Sequence, residues 1–254
     1  MPIIQALDRA MQIIDLFDEY TTELKITEIS SKMNLHKSTV HSLLKTLMKH
    51  DYIAQDHDSG KYKLGLKFVE KGQLLLQGLD IRTVAKPFLT ELSLHTGQTT
   101  HLVILSGNEG VYIDKIEGEK AAIRYSYLGR KVPLHCSAVG KVLTAFQTDE
   151  LRKRLLTNYS FTAHTPHTIT EGHVFNKALI AVQERGFAID DEENEPGVRC
   201  VAAPVFDYSG QIAAAISIST LVSGVSDEQL VEYSSLVCEA ASAVSRKLGY
   251  KHTS

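Results

Sequence analysis

The chain has 254 residues, 43% hydrophobic and 22% charged. That balance excludes a disordered, collagenous or low-complexity protein and suits one or two globular domains. Its net charge of −3 announces no nucleic-acid partner, so such a role has to be read from local charge.

Local charge is informative in the first fifth of the chain. Leu7, Ala10, Met11, Ile14 and Phe17 recur at helical spacing and predict a first helix ending near Tyr20. Ile26, Ile29 and Met33 mark a short second helix, with Glu28 favourable in its first turn. Asn34-Leu35-His36 reads as a tight turn. Val40, Leu43, Leu44, Leu47 and Met48 then form the apolar stripe of a third helix. Its other face carries Lys37, Ser38, Thr39, His41, Ser42, Lys45, Thr46 and Lys49. From Ile29 to His50 there are four lysines, three histidines and no acid, while acids lie on both sides.

Tyr52–His57 and Lys61–Gly65 read as a strand pair around the turn Asp58-Ser59-Gly60. Three helices followed by a hairpin are the order of a winged helix-turn-helix. The third helix then enters the major groove. Lys37 and Lys45 suit phosphates, and Ser38, Thr39, His41 and Ser42 suit phosphates or base edges. Lys61 and Lys63 suit backbone contacts from the wing. Against this stand the capping of the helix by Ser38 or Thr39 and a merely solvated basic face; pattern, charge and order together favour DNA.

Leu66, Val69, Leu74, Leu75 and Leu79 predict a connecting helix, weakened by Gly72 and Gly78. It has more apolar residues than one side needs, which points to a partner chain. The predicted organisation is 1–65 winged helix-turn-helix, 66–79 linker helix and 80–254 a second domain. In the last part, Ile81–His95 reads as a helix stopped by Gly97. Thr99–Leu105, Val111–Ile116 and Ile123–Leu128 read as strands, and Ser137–Phe146 as a helix capped by Ser137. Thr170–Arg185 reads as a helix stopped by Gly186, Val201–Phe206 and Ile212–Ile218 as strands, and Asp227–Leu248 as a final helix. Helices mixed with hairpin-connected strands predict an α+β domain.

Several motifs fail. Gly140-Lys141-Val142 lacks the earlier glycine and the Ser/Thr of a phosphate loop. His164, His167 and His173 have no metal-ligand spacing on a clear helix and read as solvated. His135-Cys136 are chain neighbours that rarely face each other, and buried cysteine is commoner than catalytic cysteine. The three cysteines, Cys136, Cys200 and Cys238, contain no CxxC pair. They argue against a disulfide scaffold and fit a reducing cytoplasm. Asp8 and Arg9 interrupt the first apolar stretch, and the longest uncharged run, Tyr208–Ser226, is broken by Ser, Gly and Gln, so neither a secretory signal nor a membrane span is expected.

The acidic run Asp190-Asp191-Glu192-Glu193 reads as a loop leading into a strand entry, a normal place for a ligand site. In Ile216-Ser217-Ile218-Ser219 the two serines share one strand face. If the isoleucines face the core, two hydroxyls face an opening.

Together these segments resemble the IclR family of transcriptional regulators over nearly the whole chain. The resemblance rests on Leu35-His36-Lys37-Ser38-Thr39-Val40-His41 and on Pro133-Leu134-His135-Cys136-Ser137-Ala138-Val139-Gly140-Lys141. Its strongest part is Gly186-Phe187-Ala188-Ile189-Asp190 with Glu193, Cys200-Val201-Ala202 and Val205-Phe206-Asp207. It implies a winged helix-turn-helix, a linker helix and a GAF-like effector domain. It further implies a homodimer or tetramer on double-stranded operator DNA and a small-molecule effector, often a carboxylate. No cofactor and no enzymatic activity are implied. Pocket residues carry over onto Ala138, Val139, Asp190, Val198, Cys200, Ser217 and Ser219. Arg124, on a predicted strand nearby, suits an effector carboxylate. Ser42 departs from the arginine many members carry there, which weakens one DNA contact. The competing expectation is a metal- or thiol-dependent sensor or enzyme built on His135, Cys136, Asp190 and Cys200.

Overall fold

The computed structural model describes residues 3–18, 20–77, 80–120 and 126–251. It divides into two compact units, Met1–Gly78 and Leu79–Ser254.

In the first unit, α1 (Gln5–Ile14), α2 (Ile26–Met33) and α3 (Lys37–Lys49) precede β1 (Ile53–Gln55), β2 (Tyr62–Leu64) and α4 (Lys67–Gln77). Glu28 accepts the Lys25 N–H at 2.6 Å, which closes the first turn of α2. Asn34 ends α2 at φ 51°, a left-handed position that asparagine tolerates. Ser30 Oγ donates to Leu35 O at 2.6 Å and fixes the turn into α3. Ile13, Phe17, Ile29, Val40, Leu44, Leu47, Ile53 and Tyr62 form one core. On α2 and α3 the stripes predicted from spacing face this core. On α1 the prediction fails in part: the helix ends at Ile14 rather than near Tyr20, Ile13 is its buried residue, and Leu7 and Met11 are exposed. The hairpin is shorter than predicted. Asp56 Oδ1 accepts from the Ser59 N–H and Oγ, both at 2.8 Å, so the chain already turns at residue 56.

In the second unit, α5 (Asp80–Thr96) leads into β3 (Thr99–Ser106), β4 (Glu109–Ile116) and β5 (Lys131–Val132). Then come α6 (Ala138–Ala145), α7 (Asp149–Leu156) and α8 (Gly172–Arg185). The chain continues through β6 (Ala188–Asp191), β7 (Val198–Phe206) and β8 (Ile212–Leu221) to α9 (Asp227–Lys247). The strands make one six-stranded sheet in the order β5-β4-β3-β8-β7-β6, antiparallel throughout. Alternation along the strands separates two cores. Leu102, Val201, Ala203, Ile216 and Ile218 pack with α5 and α9. Val103, Ala202 and Ala215 pack with α6 and α8. This is the α+β architecture that the pattern predicts, with helices on both faces of the sheet.

Three expectations need correction. The described part of the predicted strand Ile123–Leu128 is loop and turn. Asp190 and Asp191 are not loop residues, because β6 pairs with β7 at Asp190↔Cys200 and Asp191↔Arg199. The helix α7 was not expected: it is too polar to show a stripe, and is set by its Thr148 cap, acids in its first turn and bases in its last. The stop at Gly186 is present, with φ 83°, a conformation glycine adopts freely.

Phe175 is fully buried between α8 and the sheet and meets Phe161 edge-on at 5.7 Å. Phe175→Ala is expected to cost about 3–5 kcal/mol. Urea unfolding should then show a lower midpoint at an unchanged slope.

Candidate functional site

In the first unit, α3 presents Lys37, Ser38, His41, Ser42 and Lys45 to solvent, with Thr39 half-buried at its start. No side chain caps α3, so Ser38 and Thr39 are not spent on the helix end. Ser42 Oγ donates to Ser38 O at 3.1 Å, a bond within the helix that its hydroxyl can exchange for an outside partner. Lys37, Lys45 and Lys63 enter no ion pair among the described residues. Lys61 stands 3.5 Å from the Glu23 carboxylate, so the wing offers less free positive charge than its sequence suggested.

In the second unit, the structure brings Ala138, Val139, Asp190, Cys200, Ser217 and Ser219 around one small cavity, and adds Tyr112, Ser137 and Asn194. Three elements build it. Isoleucines 216 and 218 fill the α5/α9 core, so Ser217 and Ser219 of β8 point the other way, toward α6. Cys200 is beside them on β7, with Sγ 3.1 Å from Ser219 Oγ. The third wall is the start of α6, where Ser137 Oγ accepts the Gly140 N–H at 3.0 Å. A Cβ on Gly140 would lie 2.4 Å from Pro133 O, so only glycine lets α6 sit this close. The N–H groups of Ala138 and Val139, in the first turn, have no partner within the helix.

Val198 is buried on β7 but stays outside the lining. It lies two residues before Cys200, beyond the end of the cavity. Arg124 falls outside the described residues. The space at the centre is only about 10 Å³, on the order of one water molecule.

Asp190 is pushed up to about 7 by burial, against the backbone N–H groups of Glu193 and Asn194 that bind its Oδ1. Burial also raises Glu193, although it pairs with the buried Lys141 ammonium. Lys141 Nζ additionally donates to Ile189 O at 2.9 Å. Sequence reasoning met Lys141 only as a failed phosphate loop. Its signal was a charge inside the apolar run Ala138–Ala145.

The competing cluster does not assemble. His135, Cys136 and His164 approach one another, their ligand atoms within 4.8 Å, so these neighbours in sequence do converge. Asp190 and Cys200 are not in that group. Both His135 nitrogens are already bonded, Nδ1 to Tyr159 Oη at 3.1 Å and Nε2 to Thr162 O at 3.0 Å. Burial pushes the Cys136 thiol up to about 12 and raises Cys200 as well, so neither is a ready thiolate.

A helix-turn-helix unit with a basic, acid-free recognition helix, followed by an α/β unit with a polar internal cavity, defines a ligand-responsive DNA-binding regulator. Two family models match, the IclR helix-turn-helix domain over residues 6–57 and the bacterial transcriptional regulator IclR C-terminal domain over residues 73–246. The chain belongs to the IclR family. It is 53% identical over 250 residues to the HTH-type transcriptional regulator XynR of Escherichia coli K12, covering 98% of this chain and 99% of that one. It is 34% identical over 251 residues to the DNA-binding transcriptional repressor YiaJ of the same organism, covering 97% and 88%. The crystal structure of the Thermotoga maritima IclR superposes with a TM-score of 0.81 at 35% identity, covering 98% of this chain and all of that one. Both of these Escherichia coli relatives are transcriptional regulators. No helix among the described residues is long and apolar enough to cross a membrane.

Asp190 holds its proton to about 7 when folded, against 3.8 for an ordinary aspartate. The folded state thus binds more protons between those values, and its stability falls as pH rises through that window. Asp190→Asn is expected to flatten part of the fall, with Glu193 supplying the rest. Urea midpoints at about pH 5 and about pH 8 measure it; an unchanged pH dependence removes Asp190 as a source.

Proposed function

We propose that the chain is a cytoplasmic repressor of a catabolic operon whose operator affinity changes when a small organic or sugar acid occupies the cavity. The observation that carries this reading is the cavity, where Asp190, Ser217 and Ser219 meet the start of α6. In this reading the effector carboxylate sits at the free N–H groups of Ala138 and Val139, on the positive end of the helix dipole. Cys200, Asp190 and the serines take its remaining polar atoms, and Arg124 is a further carboxylate partner. The repressor name of the YiaJ relative supports the direction of control.

On DNA, Lys37, Ser38, Thr39, His41, Ser42 and Lys45 contact the major groove, and Lys61 and Lys63 contact the backbone. Two copies read half-sites about 34–36 Å apart. Apolar residues exposed on α1 (Ile3 just before it, Leu7, Met11) and around α4 (Leu66, Val69, Leu74) support a homodimer through this unit, and pairs of dimers would form a tetramer. The effector domains pass a change in spacing to the DNA-binding units. That requires different effector affinity in the two arrangements, typically about 1–3 kcal/mol of coupling.

Lys45→Ala is expected to weaken binding to a duplex that the wild-type protein selects from a random pool. It should also lower the slope of log affinity against log salt by about one. An unchanged slope in the folded variant removes Lys45 from the interface.

A further inference from the structure

His101 lies on β3, 1% exposed, at the centre of the sheet and opposite Ser217 in the β3–β8 register. Its Nε2 is 2.8 Å from Ser126 Oγ. Its Nδ1 faces two hydroxyls, Ser217 Oγ at 3.5 Å and Ser219 Oγ at 3.4 Å. The Tyr112 ring covers it, with centroids 4.9 Å apart. Both serines and Tyr112 line the cavity, and His101 stands directly behind them. Burial, helped by the nearby Lys115, holds the imidazole neutral down to about 3.

Two consequences follow from that geometry. A neutral imidazole has one N–H and one lone pair. With Nε2 engaged by Ser126, a single nitrogen remains for two hydroxyls. Both contacts are long for such bonds, and among the described residues the further partner of either hydroxyl is the weakly bonding Cys200 sulfur beside Ser219, so hydrogen-bonding capacity is left facing the cavity. Second, this wall is neutral: two hydroxyls, a thiol and an uncharged ring offer a carboxylate no cation. An anionic group therefore belongs at the α6 end, and the rest of the molecule meets the serines. A bare hydrocarbon there would leave buried hydroxyls unpaired, which is costly.

We propose that His101 is a positioning residue that sets effector specificity: its Nδ1 orients the Ser217 and Ser219 hydroxyls so that the cavity favours a carboxylate bearing hydroxyl groups over a bare one. This rests on the acid-effector reading above and deepens it.

Two near-isosteric variants separate this role from packing. In His101→Asn the amide stands near the position of Nδ1 and keeps a polar atom toward the serines. In His101→Gln the amide reaches the position of Nε2, keeping Ser126 and losing the serines. Binding to the full chain is measured by calorimetry with matched acids: glycerate against propionate, and gluconate against hexanoate. Urea unfolding of each variant reports the fold. The wild type is expected to bind the hydroxylated member of at least one pair about tenfold tighter or more. His101→Asn keeps that preference, and His101→Gln loses it to within about twofold at comparable stability. Retention of the preference in His101→Gln overturns the inference, as does equal loss in both variants in step with stability. A wild type that prefers the bare acids overturns the inference and leaves the acid-effector reading standing. A wild type that binds none of the four acids removes the acid-effector reading and the inference with it.

Discussion

The cavity of the second unit depends on where the Lys141 ammonium goes. A buried lysine without a partner costs several kcal/mol, and this side chain is 5% exposed. Its Nζ is met by the Glu193 carboxylate and the Ile189 carbonyl. Those partners bracket Asp190 in sequence, so one interaction ties α6 to the end of β6 and to the turn after it. The same turn then directs the N–H groups of Glu193 and Asn194 onto Asp190. From the other side, Thr165 donates to Glu192 O at 2.7 Å and Thr168 to Glu193 O at 2.6 Å. Asp190 is therefore held in the cavity wall by backbone geometry rather than by a cation of its own. That is why burial dominates its proton affinity.

The same ties explain why the cavity is closed. The sheet wall is formed by β7 and β8, each hydrogen-bonded on both sides. The α6 wall is packed against Pro133 and Leu134 without room for a single added carbon at Gly140. The wall held by side-chain ties rather than by sheet pairing or backbone contact is the turn after β6, where Glu192 holds φ 56° and Glu193 Oε2 is buried without a hydrogen bond. A ligand larger than a water molecule would have to open that wall. Its binding is then coupled to a local rearrangement, which is the differential affinity that any effector-driven change requires.

Legibility in the sequence followed periodicity. The stripe Val40, Leu44, Leu47 and the basic face opposite it were readable because an isolated surface helix separates its two sides at 3.6 residues. Ile216 to Ser219 was readable because a strand alternates at two. Asp190 was legible as a candidate site residue, but its strand was not. Two adjacent acids look solvated until β7 supplies Arg199, whose Nε lies 2.6 Å from Asp191 Oδ1. His101 left no local signal, because its partner Ser217 is 116 residues away; Lys141 left only a charge inside an apolar run, because its partner Glu193 is 52 residues on. The convergence of His135, Cys136 and His164 was hidden for the same reason.

On the DNA-binding side, the acids flanking the basic helix have structural work of their own, and this decides where positive charge is available. Asp56 is occupied by Ser59 at the wing tip, which with the nearby Lys63 keeps its carboxyl below the usual range and so ionised. Glu23 stands against Lys61. The wing's cations are thus partly neutralised by their own neighbours, through exposed contacts that a phosphate can replace at small cost. On α3 no lysine is paired with a carboxylate among the described residues. In a chain that is acidic overall, the lysines of the exposed α3 face thus keep their charge free of carboxylates among the described residues. That arrangement favours recognition by groove docking over non-specific adhesion through a broad basic surface.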